Sequence, residues 1–399
     1  MKFMKYLFVI LDGAADRPCK ELGGKTPLEA AEKQNINEIA KKCEYGTIKV
    51  LPFAPESDEA LLTLLGYKIQ GNYGRGAFEA LGLGIKVKNN LLCFRTNFAT
   101  EKNGIIIDRR VGRSLSIKES KILEKEINKI KLKNASFKFK SLGYRGAVCF
   151  SSKFKLSANL TNTDEAYSRF KGLSKAKKSQ EIPVTKCKAL SKDAKFSAEI
   201  VNSFIDETKK VLENSIVNKV RKEKGLLEAN ILLLRDPSLG LPKFEKINKI
   251  YKLRFSAIAQ TPVEVGIAKF LGMKVINQKQ KSYSQLADLV KKALKRSDFV
   301  YLHIKGPDEF GHDGNAIGKK ECIEKIDKQF FSRIKGLKVK IAITSDHATP
   351  CSLKAHSSDA VPFLISQGNK KLENFCEKEC KKGIKINGIQ FLRYFISKK

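Results

Sequence analysis

The 399-residue chain has no tryptophan, three methionines and only four histidines. No apolar run approaches the length needed to span a bilayer as a helix, so a soluble protein is expected. The run Tyr6–Leu11 in MKFMKYLFVILDG is too short for a signal-peptide core and no small-residue cleavage site follows it. A buried first strand and a cytoplasmic protein are the expectation. The nine cysteines include no CxxC pair, which suits a reducing compartment. Cys376 and Cys380 in FCEKEC could share a helix face, but no His or third Cys lies nearby to complete a metal site. GxSxG is absent, which argues against a serine hydrolase. GGKT at Gly23–Thr26 lacks the first glycine of a P-loop, whose place is taken by Cys19. YGRGAFEALGLG is glycine-rich but follows no clear strand, which weakens a dinucleotide-binding reading.

Positive charge is what the chain has in excess. Lys and Arg number 77 against 42 Asp and Glu, a formal net charge of +35. The lysines are spread along the chain and no aromatic-interleaved nucleic-acid motif appears. A small anionic substrate on a lysine-rich background is expected, rather than nucleic acid or a membrane, and a homo-oligomer stays compatible with the sequence. Hydrophobic residues make up 42%, enough for a sizeable core. The length suggests about two domains.

KYLFVILDG reads as a strand buried on both faces, as in a parallel sheet. TPLEAAEKQNINEIAKK reads as a helix, capped by Thr26 with Pro27 in its first turn. GTIKVL is a second strand, and PESDEALLTLLGY sets Ser57 at a helix start. SDFVYLHIKGPD and KVKIAITSDHATP are strands that end in acidic residues. Helical patterns such as YSQLADLVKKALKR alternate with them, which argues for an α/β parallel sheet. From about 88 to 250 the pattern changes to strand-like pieces (IIIDRR, RGAVCF, ANILLLR) and basic helices. KGLSKAKKSQEIPVTKCKALSKDAK reads as a lysine-rich surface loop. The middle is therefore expected to be an insertion within one α/β domain made from both ends of the chain.

Three of the four histidines sit in acidic or small polar settings: His312 in GPDEFGHDG, His347 in TSDHATP, His356 in KAHSSDAVP. Asp12, Asp308 and Asp346 each follow an apolar strand. Ligands of parallel α/β sheets bind beyond the carboxyl ends of the strands, so the sheet would gather these carboxylates at one edge. Carboxylates clustered there repel each other unless cations neutralise them. Mixed Asp and His donors suit Mn²⁺, Zn²⁺ or Mg²⁺ better than Ca²⁺. Two metals held close together suit phosphoryl transfer, and Ser57 at a helix N-terminus is the candidate nucleophile. His303, inside a strand, is expected in the core or behind the ligands.

Taken in order, LDGAADRP, GGKTPLEAA, PESDEALLTLLGY, YGRGAFEALGLGI, FRTNFAT, IIIDRRVGR, VNKVRKEKGLLEANILLLR, HIKGPDEFGHDG, TSDHATP and KAHSSDAVPF resemble the alkaline-phosphatase superfamily, and within it the archaeal cofactor-independent phosphoglycerate mutases. The resemblance covers nearly the whole chain. It implies a three-layer, alkaline-phosphatase-like α/β domain with a mostly parallel sheet (1–87 and 251–399), interrupted by a smaller inserted α+β domain (88–250) that binds substrate and closes over it. It implies two divalent ions, Mn²⁺ foremost with Mg²⁺, Co²⁺ or Zn²⁺ as alternatives, and no bisphosphoglycerate. Asp308, His312 and His356 would hold one ion. Asp12, Asp346, His347 and the Ser57 hydroxyl would hold the other. Ser57 would take the phosphoryl group of 3-phosphoglycerate and return it to the 2-hydroxyl, an isomerase step of glycolysis and gluconeogenesis. Arg95, Arg109, Arg113, Arg145, Arg235 and Lys305 would face the substrate.

The chain departs from the family pattern at three places. Glu56 precedes the nucleophile where a glycine is usual. Asp164-Glu165-Ala166 replaces an Asp-Pro-His run, and RDPS at Arg235–Ser238 replaces a glycine-rich turn. Two other readings remain at this level. One is a phosphotransferase or phosphatase on the same scaffold, such as a homoserine-kinase-like enzyme. The other is a basic nucleic-acid-binding protein.

Overall fold

The structure, a computed structural model, describes residues 4–69, 74–165, 167–170, 173–176, 182–277 and 282–397. Tyr73, Ala166 and residues 177–181 of the lysine-rich stretch lie outside the described residues. In chain order the strands are β1 (Tyr6–Leu11), β2 (Cys43–Lys49), β3 (Leu92–Lys102), β4 (Ile105–Asp108), β5 (Ser136–Leu142), β6 (Arg145–Ser151), β7 (Tyr167–Phe170), β8 (Leu173–Ala176), β9 (Ile231–Leu239), β10 (Phe255–Ala259), β11 (Lys274–Asn277), β12 (Phe299–Ile304), β13 (Lys340–Thr344), β14 (Val361–Ser366) and β15 (Ile384–Asn387). The chain divides into two compact units. The first comprises Met1–Ile69, Phe244–Gln260 and Leu271–Lys399; the second comprises Gln70–Lys243 and Thr261–Phe270.

The first unit is built on an eight-stranded sheet in the order β11-β10-β12-β1-β13-β14-β2-β15. Only β14 runs against its neighbours. β1 lies at the centre because both of its faces are apolar. Leu7, Val9 and Leu11 join a core with Val290 of the helix Tyr283–Arg296 and Ile323 of the helix Ala316–Ile326. Phe8 points the other way, onto Phe391 and Phe395 of the C-terminal helix Gly388–Ser397. Strand alternation thus puts helices on both faces, giving three layers. No helix among the described residues is long and apolar enough to cross a membrane.

The segment expected as one helix after Thr26 is two. Thr26 caps Pro27–Ala30 by accepting from Glu29 N, as expected. Ala31 then turns extended and a second helix runs Gln34–Ile39. Asp327 forces the break, since its carboxylate accepts from the backbone of Asn35 and Ile36 at the new helix start.

The second unit holds an antiparallel sheet of β4, β3, β6 and β5, with β9 also paired to β3. The helix Lys195–Asn214 covers it, with Phe204 against Phe137 and Phe150. The insertion expected over 88–250 has different limits here. The helices Arg75–Gly82 and Pro262–Phe270, both expected outside it, pack on each other in the second unit. Glycines allow the close approach: a Cβ on Gly266 would stand 1.9 Å from the Phe78 carbonyl oxygen. Residues 182–190, expected within a surface loop, are pinned instead. Ile106 N donates to Ile182 O and Val184 N to Gly104 O. Ile182 and Val184 pack against Ile106, Ile231 and Leu233, so the apolar members of this lysine-rich stretch are what fix it.

Candidate metal centre

β12, β1 and β13 are neighbours and parallel, with Ile10 level with both His303 and Thr344. Their carboxyl ends therefore release Asp12, Lys305 and the Ser345–His347 loop at one level, beside the middle of the sheet. The helix Pro307–Asp313 follows β12 and carries Asp308 and His312 four residues apart, hence on one face. His356 comes from the loop before β14. Ser57 is the first residue of the helix Ser57–Leu64 and not its cap, which is Glu56. Glu56 N donates to the Glu59 carboxylate Oε2 at 2.8 Å, an N3-to-N-cap bond that holds this helix start.

These residues converge. Asp308, His312 and His356 form one group whose ligand atoms lie within 4.8 Å of one another. Asp12, Asp308 and His347 form a second such group, and Asp12, His303 and Asp346 a third. Ser57 Oγ lies 3.3 Å from His347 Nε2 and 3.5 Å from Asp12 Oδ1. Lys305 Nζ is 2.9 Å from Asp12 Oδ2.

The hydrogen-bond network assigns the histidine tautomers. Thr349 Oγ1 donates to Asp308 Oδ1 at 2.7 Å, so it accepts from His347 Nδ1–H at 3.0 Å. His347 Nε2 is then a lone pair. It faces Asp346 Oδ2 at 3.3 Å and Asp12 Oδ1 at 3.7 Å, which also offer only electron pairs. His312 Nδ1 donates to Lys354 O and His356 Nδ1 to Pro55 O, at 3.2 and 2.8 Å. Their Nε2 atoms oppose each other 3.2 Å apart, and each lies 3.4 Å from Asp308. Lone pairs and carboxylates facing inward at these separations repel unless a proton or a metal ion lies among them. The donor set therefore fits divalent metal ions, and the outer Nδ1 partners fix each ring as a ligand requires. The predicted ligands of the first ion are together, and so are those of the second.

The pKa shifts follow from the same crowding. Burial pushes His347 down, which keeps it neutral. The hydrogen bond to Asp308 raises His312. At His356 burial opposes the charged form, but the Asp308 hydrogen bond and the charge of Glu56 outweigh it and push the pKa up to about 10.

Another cluster in this unit, Asp16, Cys19 and Cys351, also has metal-ligand geometry. Its cation is already in place: the buried Lys319 ammonium lies 2.7 Å from Asp16 Oδ2 and also donates to Ala15 O and Thr349 O. Lys319 thus ties the segment after Asp12 to the segment after His347. Cys376 and Cys380 are buried free thiols.

The predicted arginines lie in the second unit and divide into two sets. Arg95, Arg109 and Arg235 gather around two buried carboxylates. Arg109 Nε donates to Asp164 Oδ1 at 2.9 Å, and a second bond joins Arg109 Nη2 to Asp164 Oδ2. Arg235 Nη1 lies 3.7 Å from Asp164 Oδ2, and Arg95 Nη1 lies 3.7 Å from Asp236 Oδ2. Arg75, which sequence reasoning passed over inside its glycine-rich segment, joins them 3.5 Å from Asp236 Oδ2. Arg113 stands exposed on the turn Val111–Arg113, and Arg145 lies over the Tyr144 ring.

A family profile described as 2,3-bisphosphoglycerate-independent phosphoglycerate mutase matches residues 40–218. The mutase of that name from Aeropyrum pernix is 37% identical over 410 residues, covering 95% of this chain and 95% of that one. The first such mutase of Methanocaldococcus jannaschii is 35% identical, over 96% of this chain and 94% of its own. The chain belongs to this family. Among solved structures, a Pyrococcus horikoshii protein superposes with a TM-score of 0.81 at 29% identity, covering 100% of this chain and 99% of that one. The cofactor-independent phosphoglycerate mutase of Thermoplasma acidophilum does so with a TM-score of 0.65 at 26% identity, covering 98% and 99%.

In this mutase two supporting residues escaped the sequence reading. Thr349, two residues after His347, is ordinary in sequence and gains its role only by bridging His347 and Asp308. Gly13 has a φ of +56°, and a Cβ there would stand 2.5 Å from Asp308 Oδ1. Gly13→Ala is therefore expected to cost about 1–3 kcal/mol in backbone strain and to weaken metal binding by about 10–100-fold through Asp308. Thermal unfolding and metal titration check it; wild-type values in both would show that Asp308 does not need this close approach.

Proposed function

We propose that the residues around Ser57 interconvert 3-phosphoglycerate and 2-phosphoglycerate through a phosphoserine, with Asp308, His312 and His356 holding one divalent ion and Asp12, Asp346, His347 and Ser57 holding the other. The observation that carries this reading is that Ser57 Oγ stands 3.3 Å from His347 Nε2 and 3.5 Å from Asp12 Oδ1, beside clustered carboxylates and imidazoles. Bound there, divalent ions neutralise phosphoryl oxygens and favour the serine alkoxide, with Mn²⁺ the expected species.

The chain's own residues do the rest. Ser57 Oγ attacks phosphorus as the bond to the 3-oxygen of glycerate breaks, and the proton lost from Ser57 ends on that oxygen. After the glycerate reorients, its 2-hydroxyl attacks the phosphoserine and Ser57 regains a proton. The substrate supplies every atom of the product, so no bisphosphoglycerate is needed. Lys305, against Asp12, keeps a positive charge beside the nucleophile, and His303 lies 3.5 Å from Asp12 Oδ1 and 3.3 Å from Asp346 Oδ2, positioning both. The arginine cluster of the second unit carries planar donors of the kind that pair with carboxylates and phosphates. The reading puts the enzyme in the cytoplasm, with other enzymes of glycolysis.

The test is an enolase-coupled assay with 3-phosphoglycerate, Mn²⁺ and no added bisphosphoglycerate. Steady formation of the enolase product is expected. Phosphate release without 2-phosphoglycerate would instead make the protein a phosphatase.

A further inference from the structure

Asp12, Asp346 and His347 sit on two loops of the first unit, one after β1 and one after β13. Ala348 bridges the loops by pairing with Ala14 and Ala15. Gly13 N donates to Asp346 Oδ1 and Ala14 N to Ser345 Oγ, both at 3.0 Å. Thr349 N donates to Ala15 O at 3.0 Å. Thr349 O accepts from Lys319 Nζ at 2.9 Å. Gly311, on the helix that carries Asp308 and His312, makes room for this carbonyl: a Cβ there would stand 2.5 Å from Thr349 O. Thr349 is therefore held through both its N–H and its C=O.

Lys319 comes from the helix Ala316–Ile326, and its side chain and that of Asp16 are fully buried. An ammonium has three protons to donate. Each meets an acceptor: Asp16 Oδ2 at 2.7 Å, Thr349 O at 2.9 Å and Ala15 O at 3.3 Å. Asp16 also accepts from Arg17 N at 2.8 Å and Cys351 N at 3.1 Å. A buried ion pair is a weak source of stability. What this one supplies is a fixed place for the Thr349 carbonyl. From Thr349 the contacts divide. Oγ1 meets His347 Nδ1 at 3.0 Å and Asp308 Oδ1 at 2.7 Å. Asp308 and His347 are predicted ligands of different ions, so a residue behind Thr349 serves both.

We propose that Lys319 is a positioning residue for both metal ions, acting through Thr349 and touching neither ion itself. The proposal rests on the reading of Asp308 and His347 as metal ligands. Lys319 fixes Thr349, and Thr349 fixes the His347 tautomer and the direction of the Asp308 carboxylate. Each ion then meets a donor already in place. Loss of the ammonium frees the Thr349 carbonyl and loosens both donors at once.

The experiment titrates Mn²⁺ calorimetrically into metal-free full chains. The variants are Lys319→Met, Thr349→Val, and Lys319→Met with Asp16→Asn. Methionine keeps much of the lysine's length without its charge. Asp16→Asn removes the carboxylate that Lys319→Met alone would leave buried and unpaired, so this version keeps the test open if the single variant does not fold. Both Lys319 variants are expected to bind both ions about tenfold more weakly or worse, as loss of a residue that orients a ligand does. Thr349→Val should weaken both ions to a similar degree. Combined with Thr349→Val, either Lys319 change should cost no more than Thr349→Val alone, because the ammonium acts through that residue. A lysine that only stabilises the fold would give no loss of affinity, or losses that add to those of Thr349→Val. Wild-type affinity for both ions in the Lys319 variants, weakening of one ion alone, or additive losses overturns the proposal. If wild type binds Mn²⁺ and the Lys319 variants bind it equally well, the metal reading stands and this proposal falls. A wild type that binds no Mn²⁺ removes both.

Discussion

Ser57→Ala is expected to lower isomerisation by about 10⁴-fold or more, because in the proposed mechanism nothing else accepts the phosphoryl group. The fold should survive the change. Ser57 is half-buried at the first position of its helix, and the cap that holds this helix start is Glu56 with Glu59. Alanine is also the best helix former, so the helix loses nothing by propensity. Metal should remain bound with modest loss, since Asp12, Asp346 and His347 stay in place and only the hydroxyl is gone. Rapid-quench trapping of a phosphorylated protein in wild type, and its absence in the alanine variant, separates a nucleophile from a residue that only orients substrate. A Ser57→Ala protein with wild-type turnover would remove the phosphoserine step altogether.

How far the site could be read from the sequence depends on which part of it strand ends determine. Asp12, Asp308 and Asp346 were legible because β1, β12 and β13 are largely apolar runs with an acid within a few residues after each. A parallel sheet turns that pattern into proximity without further information. His312 followed from its four-residue spacing to Asp308. His303 was legible only in part. It lies within β12, and nothing in FVYLHI shows that it reaches past Ile10 to two carboxylates. Thr349 and the tautomers it sets depend on how the loop after β13 folds back over Ala14 and Ala15, a contact between residues more than 330 positions apart in sequence. The limits of the second unit were misjudged for a similar reason. The helices Arg75–Gly82 and Pro262–Phe270 each look like ordinary members of the α/β pattern, and only their glycine-mediated contact assigns them to the other unit. Among the arginines, sequence could nominate the residue type but not the face. Arg95 and Arg235 are paired across β3 and β9 and meet, whereas Arg113 sits on an exposed turn.

Removing metal is the second change expected to have a large effect. With a strong chelator, activity should fall about 10³-fold or more, the several kcal/mol that metal ions contribute when charge develops on phosphoryl oxygens. Readdition of Mn²⁺ should restore it. Wild type should hold about two ions per chain, and His356→Ala about one, because His356 belongs to the Asp308–His312 group and the other set is left intact. Proton release supplies a readout independent of turnover. Without metal, His312 and His356 are both raised, His356 to about 10, so His356 carries an extra proton at neutral pH. An ion needs the Nε2 lone pairs, so binding expels about one proton or more per chain. Apparent affinity should therefore rise with pH from about 6 to 8 and flatten as pH approaches the folded pKa of His356. Calorimetric titration with Mn²⁺ in buffers of different ionisation enthalpy measures that release directly. The His356→Ala protein should release fewer protons as well as bind fewer ions. Equal stoichiometry and equal proton release in the two proteins would mean that the facing Nε2 atoms of His312 and His356 are not a metal site.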